Sequence, residues 1–294
     1  MTRCGHFSTV FLTVIGLFFL VGSTPTQAQE RGNKIPRVSP NATVGQTIGI
    51  TDVEITYGRP SVRGRTIFGE DGLVPNGDVW RTGANEATTI SFSTPVQVEG
   101  QSLAAGTYSF FTIPGTDTWT LIFNEKAKQW GAYNYDSDND ALRVTVEPES
   151  ASKRDMMSFY FRNVSDTTAT GVLHWSETRI PFDISVNTTE LLRKRAENTV
   201  SEADEWKAPL PYVVYATENE ILLDDALSWV NRSIELKETY LNLFRKAALL
   251  AAQNNYEQAV ETGTAALSKA ESMDESPNGM EEMKKKIESW ESQR

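Results

Sequence analysis

Apolar and polar residues alternate over 52–57, with Val53, Ile55 and Tyr57 on one face and Asp52, Glu54 and Thr56 on the other. That is the period of a half-buried strand. The β pattern opens at Ile48 and continues in short segments over 88–93, 96–99, 106–113, 118–124, 141–147, 156–162, 168–175 and 179–186. These are rich in Thr, Val, Ile, Phe and Tyr and are separated by Gly, Pro, Asn or Asp. Strands this short and this closely spaced predict an all-β sandwich or barrel-like domain over 29–188. Its first residues, 29–45, are polar, carry Pro36 and Pro40, and read as an extended lead-in.

After Thr188 the period lengthens. A charged helical linker is expected over 189–208, with a connection at 203–211. Beyond it, Leu222, Leu223, Ala226, Leu227, Val230 and Ile234 recur at helical spacing. Leu243, Phe244, Ala247, Leu250 and Ala251 form a second stripe, and Ala259, Val260 and Ala266 a third. Ser276-Pro277-Asn278-Gly279 breaks the pattern before a last amphipathic stretch marked by Met280, Met283, Ile287 and Trp290. Residues 209–294 are expected to be all-α.

The amino-terminal 28 residues change where the chain is expected to act. Arg3 precedes the apolar run 10–21, and Thr26-Gln27-Ala28 forms a cleavage site, the arrangement of a secretory signal peptide. The run is too short to span a bilayer, so no membrane span is expected and the product is placed in the periplasm or outside the cell. Cleavage removes Cys4 and His6, leaving no cysteine and His174 alone. That excludes disulfides, thiol nucleophiles and zinc–thiolate sites from the mature chain. It also leaves 27 of the 28 basic residues against 39 acidic ones, a net charge of −12. A surface so acidic is ill-suited to nucleic acid. Walker loops, dinucleotide fingerprints and Gly-x-Ser-x-Gly elbows are absent, and no cofactor is expected.

Against that charge, the arginines stand out. Arg59, Arg63 and Arg65 fall within seven residues, and Arg81 sits beside Trp80 in Gly77-Asp-Val-Trp-Arg-Thr-Gly-Ala-Asn-Glu-Ala-Thr88. If they converge, their fixed forks of donors make a cationic pocket suited to a carboxylate, a phosphate or an acidic sugar. Trp80, Trp130 and Tyr133 would supply flat faces, and Asn85 and Glu86 polar groups on the same turn. The competing reading has Arg81 and Glu86 paired internally to pin the turn. Glu86 with Asp136 or Asp138 would form the two-carboxylate arrangement of a hydrolase. Asp136-Ser-Asp138-Asn-Asp140 followed by Glu147 has the outline of a calcium loop, but Ala141 stands where glycine is wanted, so an acidic turn is expected. His174, between Leu173 and Trp175, reads as an ordinary strand residue.

Two resemblances add to this. Leu243, Ala247, Leu250, Tyr256, Ala259 and Ala266 resemble one tetratricopeptide unit, with Gly263 in place of the usual aromatic and Glu271 where a proline often closes the repeat. Ala226 and Ser233 have the spacing of a preceding unit. The likeness implies a helical array that docks a partner protein. In the β half, Gln46-Thr-Ile-Gly49, Tyr57-Gly-Arg-Pro-Ser-Val-Arg-Gly-Arg65, Val79-Trp-Arg-Thr-Gly-Ala-Asn-Glu-Ala-Thr88, Ala105-Gly-Thr-Tyr108 and Gln129-Trp-Gly-Ala-Tyr133 are similar to the secreted bacterial family known as domain of unknown function 2911, over about 37–186. The resemblance implies fold and export, and carries no activity. The expected function is non-catalytic binding of a small anionic or sugar-like ligand at Arg59, Arg65, Trp80, Arg81, Asn85, Glu86, Trp130 and Tyr133. The alternatives are a Glu86-based hydrolase of a glycan or ester and a purely structural envelope module.

Overall fold

The structure, a computed structural model, describes residues 35–273 and 277–294. The leader expected over 1–28 lies outside the described residues. Two antiparallel sheets pack into a β domain. One has the order β1 (Asn41–Ile48), β2 (Thr51–Gly58), β3 (Thr88–Phe92), β6 (Gly106–Ile113), β7 (Trp119–Asn124), β8 (Asp140–Val146). The other has the order β5 (Gln101–Leu103), β4 (Val96–Val98), β10 (Thr168–Ser185), β9 (Glu149–Arg162). The alternation read at 52–57 is realised in β2, where Val53, Ile55 and Tyr57 are buried and Asp52 and Glu54 are exposed.

β1 is a departure from the expected lead-in. It pairs with β2 along its whole length, from Asn41 opposite Gly58 to Ile48 opposite Thr51. As an edge strand it lays only Ala42 and Val44 against the core short of Ile48, so its composition stays polar. β10 is one strand where two were expected. It bends at Ser176, which has φ 55, with register shifts on both sides against β9. The bend brings its ends together: Val186 N–H donates to Thr167 O at 2.8 Å, and Thr170 Oγ1 donates to Asp183 Oδ1 at 2.8 Å.

Between the sheets, Phe110, Phe123, Phe182, Ile55, Ile90, Leu121, Met157, Leu173 and Trp175 are fully buried. Burying one large apolar side chain contributes roughly 1.5–3 kcal/mol. Phe111 and Ile122 point to the opposite face of the six-stranded sheet. There the segment between β7 and β8 covers them, with Tyr135 edge-on to Phe111 at 5.1 Å.

The helical half comprises α1 (Thr188–Ser201), α2 (Leu210–Glu218), α3 (Leu223–Leu236), α4 (Tyr240–Ala252), α5 (Tyr256–Glu271) and α6 (Met280–Glu291) among the described residues. α2 begins at the edge of the connection expected over 203–211 and lies in the region expected to be all-α. Its Tyr-Val-Val-Tyr run has strand-like propensity, but Pro209 and Pro211 suit a helix start, and Leu210, Val213 and Ala216 share one buried face with Ala196, Ala226 and Trp229. α4 and α5 meet through Ala247, Ala259 and Ala266. A Cβ on Gly263 would lie 2.9 Å from Ile287 Cγ1, so the close approach of α6 leaves no room for a ring there. The halves touch at Asp166, which accepts from Tyr215 Oη at 3.0 Å and, through its carbonyl, from Thr188 Oγ1.

Candidate functional site

Two loops meet beyond the end of β2. Gly58 is the reason they can. A Cβ there would sit 2.0 Å from Ala84 O, so only glycine lets residues 82–85 close down on the strand. The second loop is tied to β6 by paired bonds between Trp80 and Thr112, at 2.8 and 2.9 Å. Its turn then passes through two left-handed residues, Thr82 at φ 55 and Asn85 at φ 65. A β-branched residue in that region is unfavourable by roughly 1–3 kcal/mol and persists only where its surroundings fix it. Here they do: Thr82 Oγ1 donates to Thr112 Oγ1 at 3.2 Å, and Thr88 Oγ1 donates to Thr82 O at 2.6 Å. Trp80 Nε1 closes the turn onto Gly83 O at 3.2 Å.

The loops enclose a cavity of about 410 Å³. Its floor is Val74, Trp80 and Trp175, the two indoles stacked with centroids 5.8 Å apart and planes 19° apart. Arg63, Arg65 and Arg81 face into it, with Asn85 and the lead-in residues Val38 and Ser39 on the remaining wall. Among the described residues, no aspartate or glutamate lines it. Arg65 is held by carbonyls, Nε donating to Val62 O at 3.1 Å and Nη2 to Ser61 O at 2.7 Å.

Arg81 is different. Its Nε is buried and has no acceptor, and its guanidinium makes no ion pair among the described residues. Burial without a carboxylate pushes its pKa below the ordinary arginine value, an effect that the Tyr133 phenol opposes. The glutamate expected as its partner is elsewhere. Glu86 is buried against Arg37, Nη1 to Oε2 at 2.7 Å, and its backbone bridges Trp130. Sequence reasoning missed Arg37 because it lies in a polar segment without periodicity, and missed Trp175 because it reads as one more strand residue.

Of the eight residues expected to converge, the structure gathers Arg65, Trp80, Arg81 and Asn85 around the cavity. Arg59 turns away to donate from Nε to Met157 O at 2.8 Å. Glu86, Trp130 and Tyr133 do not line the cavity, and Trp130 and Tyr133 are exposed beside it. The two-carboxylate arrangement is not formed in the cavity, since neither Asp136 nor Asp138 lines it. Asp136 instead caps the turn at Ser137–Asn139, and Asp140 accepts from Arg143 at 2.7 Å and Tyr135 at 2.6 Å.

His174 is buried on β10, with Nε2 3.0 Å from Ser152 O. Burial lowers its pKa from 6.5, the Ser152 carbonyl opposes this, and Arg154 and Arg179 add to the lowering. A depressed folded-state pKa means that the unfolded chain takes up the proton first as pH falls. The contribution to stability is therefore complete above 6.5 and is lost as pH drops toward the folded value. Thermal melts of His174→Gln should show a flatter pH dependence below 6.5 than the parent protein. An unchanged slope would remove His174 from the acid response.

Fold and site together define an antiparallel β-sandwich domain with an arginine-lined cavity at one end and a helical domain attached to its last strand. Residues 39–184, within the β domain, match the family described as "Protein of unknown function (DUF2911)". No curated protein matches the chain.

Proposed function

We propose that the β domain is a non-catalytic binding module for a small anionic or sugar-like ligand, with the cavity around Arg81 as its site. The observation that carries this reading is the half-buried guanidinium of Arg81, which among the described residues has no carboxylate partner and lies in a cavity lined by no acidic side chain. A charge removed from water is normally repaid by a partner, and a missing partner inside an accessible cavity points to a ligand. The cavity falls in the range of small-molecule sites, about 300–1,000 Å³. In this reading the protein acts after export, and its helices present a docking surface to another protein.

Thermal melts in the presence of acidic and neutral sugars test it. A ligand at about 100 times its Kd adds about 2.7 kcal/mol of stability. That corresponds to roughly 5–10 °C for a domain of this size. Neutral sugars should give a smaller shift than their uronic counterparts. If no anion moves the transition at millimolar concentration, the cavity is not a binding site.

A further inference from the structure

The geometry points to a narrower ligand class: we propose that the cavity takes the dianionic head of a phosphate monoester. This rests on the anion-binding reading above and goes further by fixing the charge and shape of the head group.

Charge comes first. Among the described residues, three arginines line the cavity without a lining carboxylate, in a chain whose net charge is −11. The nearby acids are engaged outside it: Glu86 binds Arg37 at 2.7 Å, and Asp155 Oδ1 accepts the Arg63 backbone N–H at 3.4 Å. One negative charge would leave the site strongly positive, whereas two bring it near balance.

Donor supply gives the same answer. A guanidinium carries five N–H donors. Arg65 commits Nε and part of Nη2 to the Val62 and Ser61 carbonyls, whereas the buried Nε of Arg81 has no acceptor among the described residues. A carboxylate offers two acceptor oxygens to these forks, while a phosphate monoester offers three and carries about two charges. The volume, about 410 Å³, leaves room for an organic body beside the head. Trp80 and Val74 on the floor, with Val38 and Leu73 exposed at the mouth, give that body an apolar bed.

The proposal has a pH signature. Among the described residues the lining includes no histidine, aspartate or glutamate, and arginine stays charged throughout. Tyr133 lies close enough to affect Arg81. Any change in affinity between about pH 7.5 and about pH 5 then belongs to the ligand, whose second ionisation lies near 6.

Calorimetric titration of the full chain with glucose 6-phosphate, glucuronate, inorganic sulfate and glucose decides the matter. Glucose 6-phosphate should bind at least about tenfold more tightly than glucuronate at about pH 7.5 and weaken roughly fivefold to tenfold by about pH 5. Sulfate, a dianion at both values, should keep its affinity. Glucuronate matching glucose 6-phosphate, or sulfate weakening in parallel with it, overturns the dianion assignment while leaving anion binding intact. Silence from every anion overturns the binding reading itself, and glucose binding as tightly as its phosphate overturns both.

Discussion

Arg81→Met is expected to weaken binding of glucose 6-phosphate by about 100-fold while leaving the melting temperature of the ligand-free protein unchanged or slightly raised. The affinity loss corresponds to about 2.7 kcal/mol, within the range for removing one member of a desolvated charge pair. The stability expectation follows from the surroundings of the guanidinium. Its Nε lacks an acceptor and burial depresses its pKa, so in the empty protein the charge is held without repayment. Methionine keeps the apolar stem and removes only the charged fork. An internally paired arginine would behave in the opposite way, costing several kcal/mol on replacement with little effect on titrations. Calorimetry and thermal melts on the same two proteins therefore separate the two roles. Arg81→Lys should recover only part of the affinity, because an ammonium restores the charge without the fork.

The sequence made the architecture legible wherever a face of an element is buried in a regular rhythm. β2 was visible because alternate residues enter the core, β6 and β7 because they are apolar runs rich in aromatic and β-branched residues buried on both faces, and α3 because Ala226, Trp229, Val230 and Ser233 share one buried stripe. β1 was hidden because an edge strand buries little, and the start of β9 because Ser150 and 152–155 stay outside the core with charged members among them. α2 formed inside the stretch expected to be helical: Val213 and Val214 have strand propensity, but Leu210, Val213 and Ala216 pack against Ala196 and Trp229. At the site, Arg65, Trp80, Arg81 and Asn85 were readable from composition alone, because arginines are conspicuous in an acidic chain. Which acid paired with which arginine was not. Glu86 lies five residues from Arg81 and 49 from Arg37, yet it binds Arg37. The lead-in reaches Glu86 only because β1 docks on β2 and returns Arg37 and Ser39 to the second loop, where Asn85 Nδ2 donates to Ser39 O at 3.1 Å. Sequence distance carries no information about such a contact.

Beneath the cavity, Phe68, Trp80, Trp119 and Trp175 form one aromatic block, and Trp175→Ala is the single substitution in it expected to cost most. Trp175 is 1% exposed, stacks on Trp80, meets Phe68 edge-on at 6.0 Å and 88°, and donates from Nε1 to Asp155 O at 3.1 Å. Truncating a buried tryptophan costs about 3–5 kcal/mol. The lost ring contacts add roughly 0.5–1.5 kcal/mol each. The Asp155 carbonyl keeps one partner, since Val62 N–H also donates to it at 2.8 Å, so no further penalty from an unpaired group is expected. For a domain of about 150 residues a loss of this size lowers the melting temperature by roughly 10–15 °C. Trp175→Phe should recover more than half of that, because it restores the stack without the N–H. The pair also tests the link from core to site. Trp175 supports Trp80, and Trp80 holds Gly83 and the turn carrying Arg81, so Trp175→Phe should keep anion affinity within about threefold of the parent. A titration in which Trp175→Phe binds as poorly as Arg81→Met, at near-parental stability, would give the indole a direct role in holding the ligand in place of the supporting one argued from its burial.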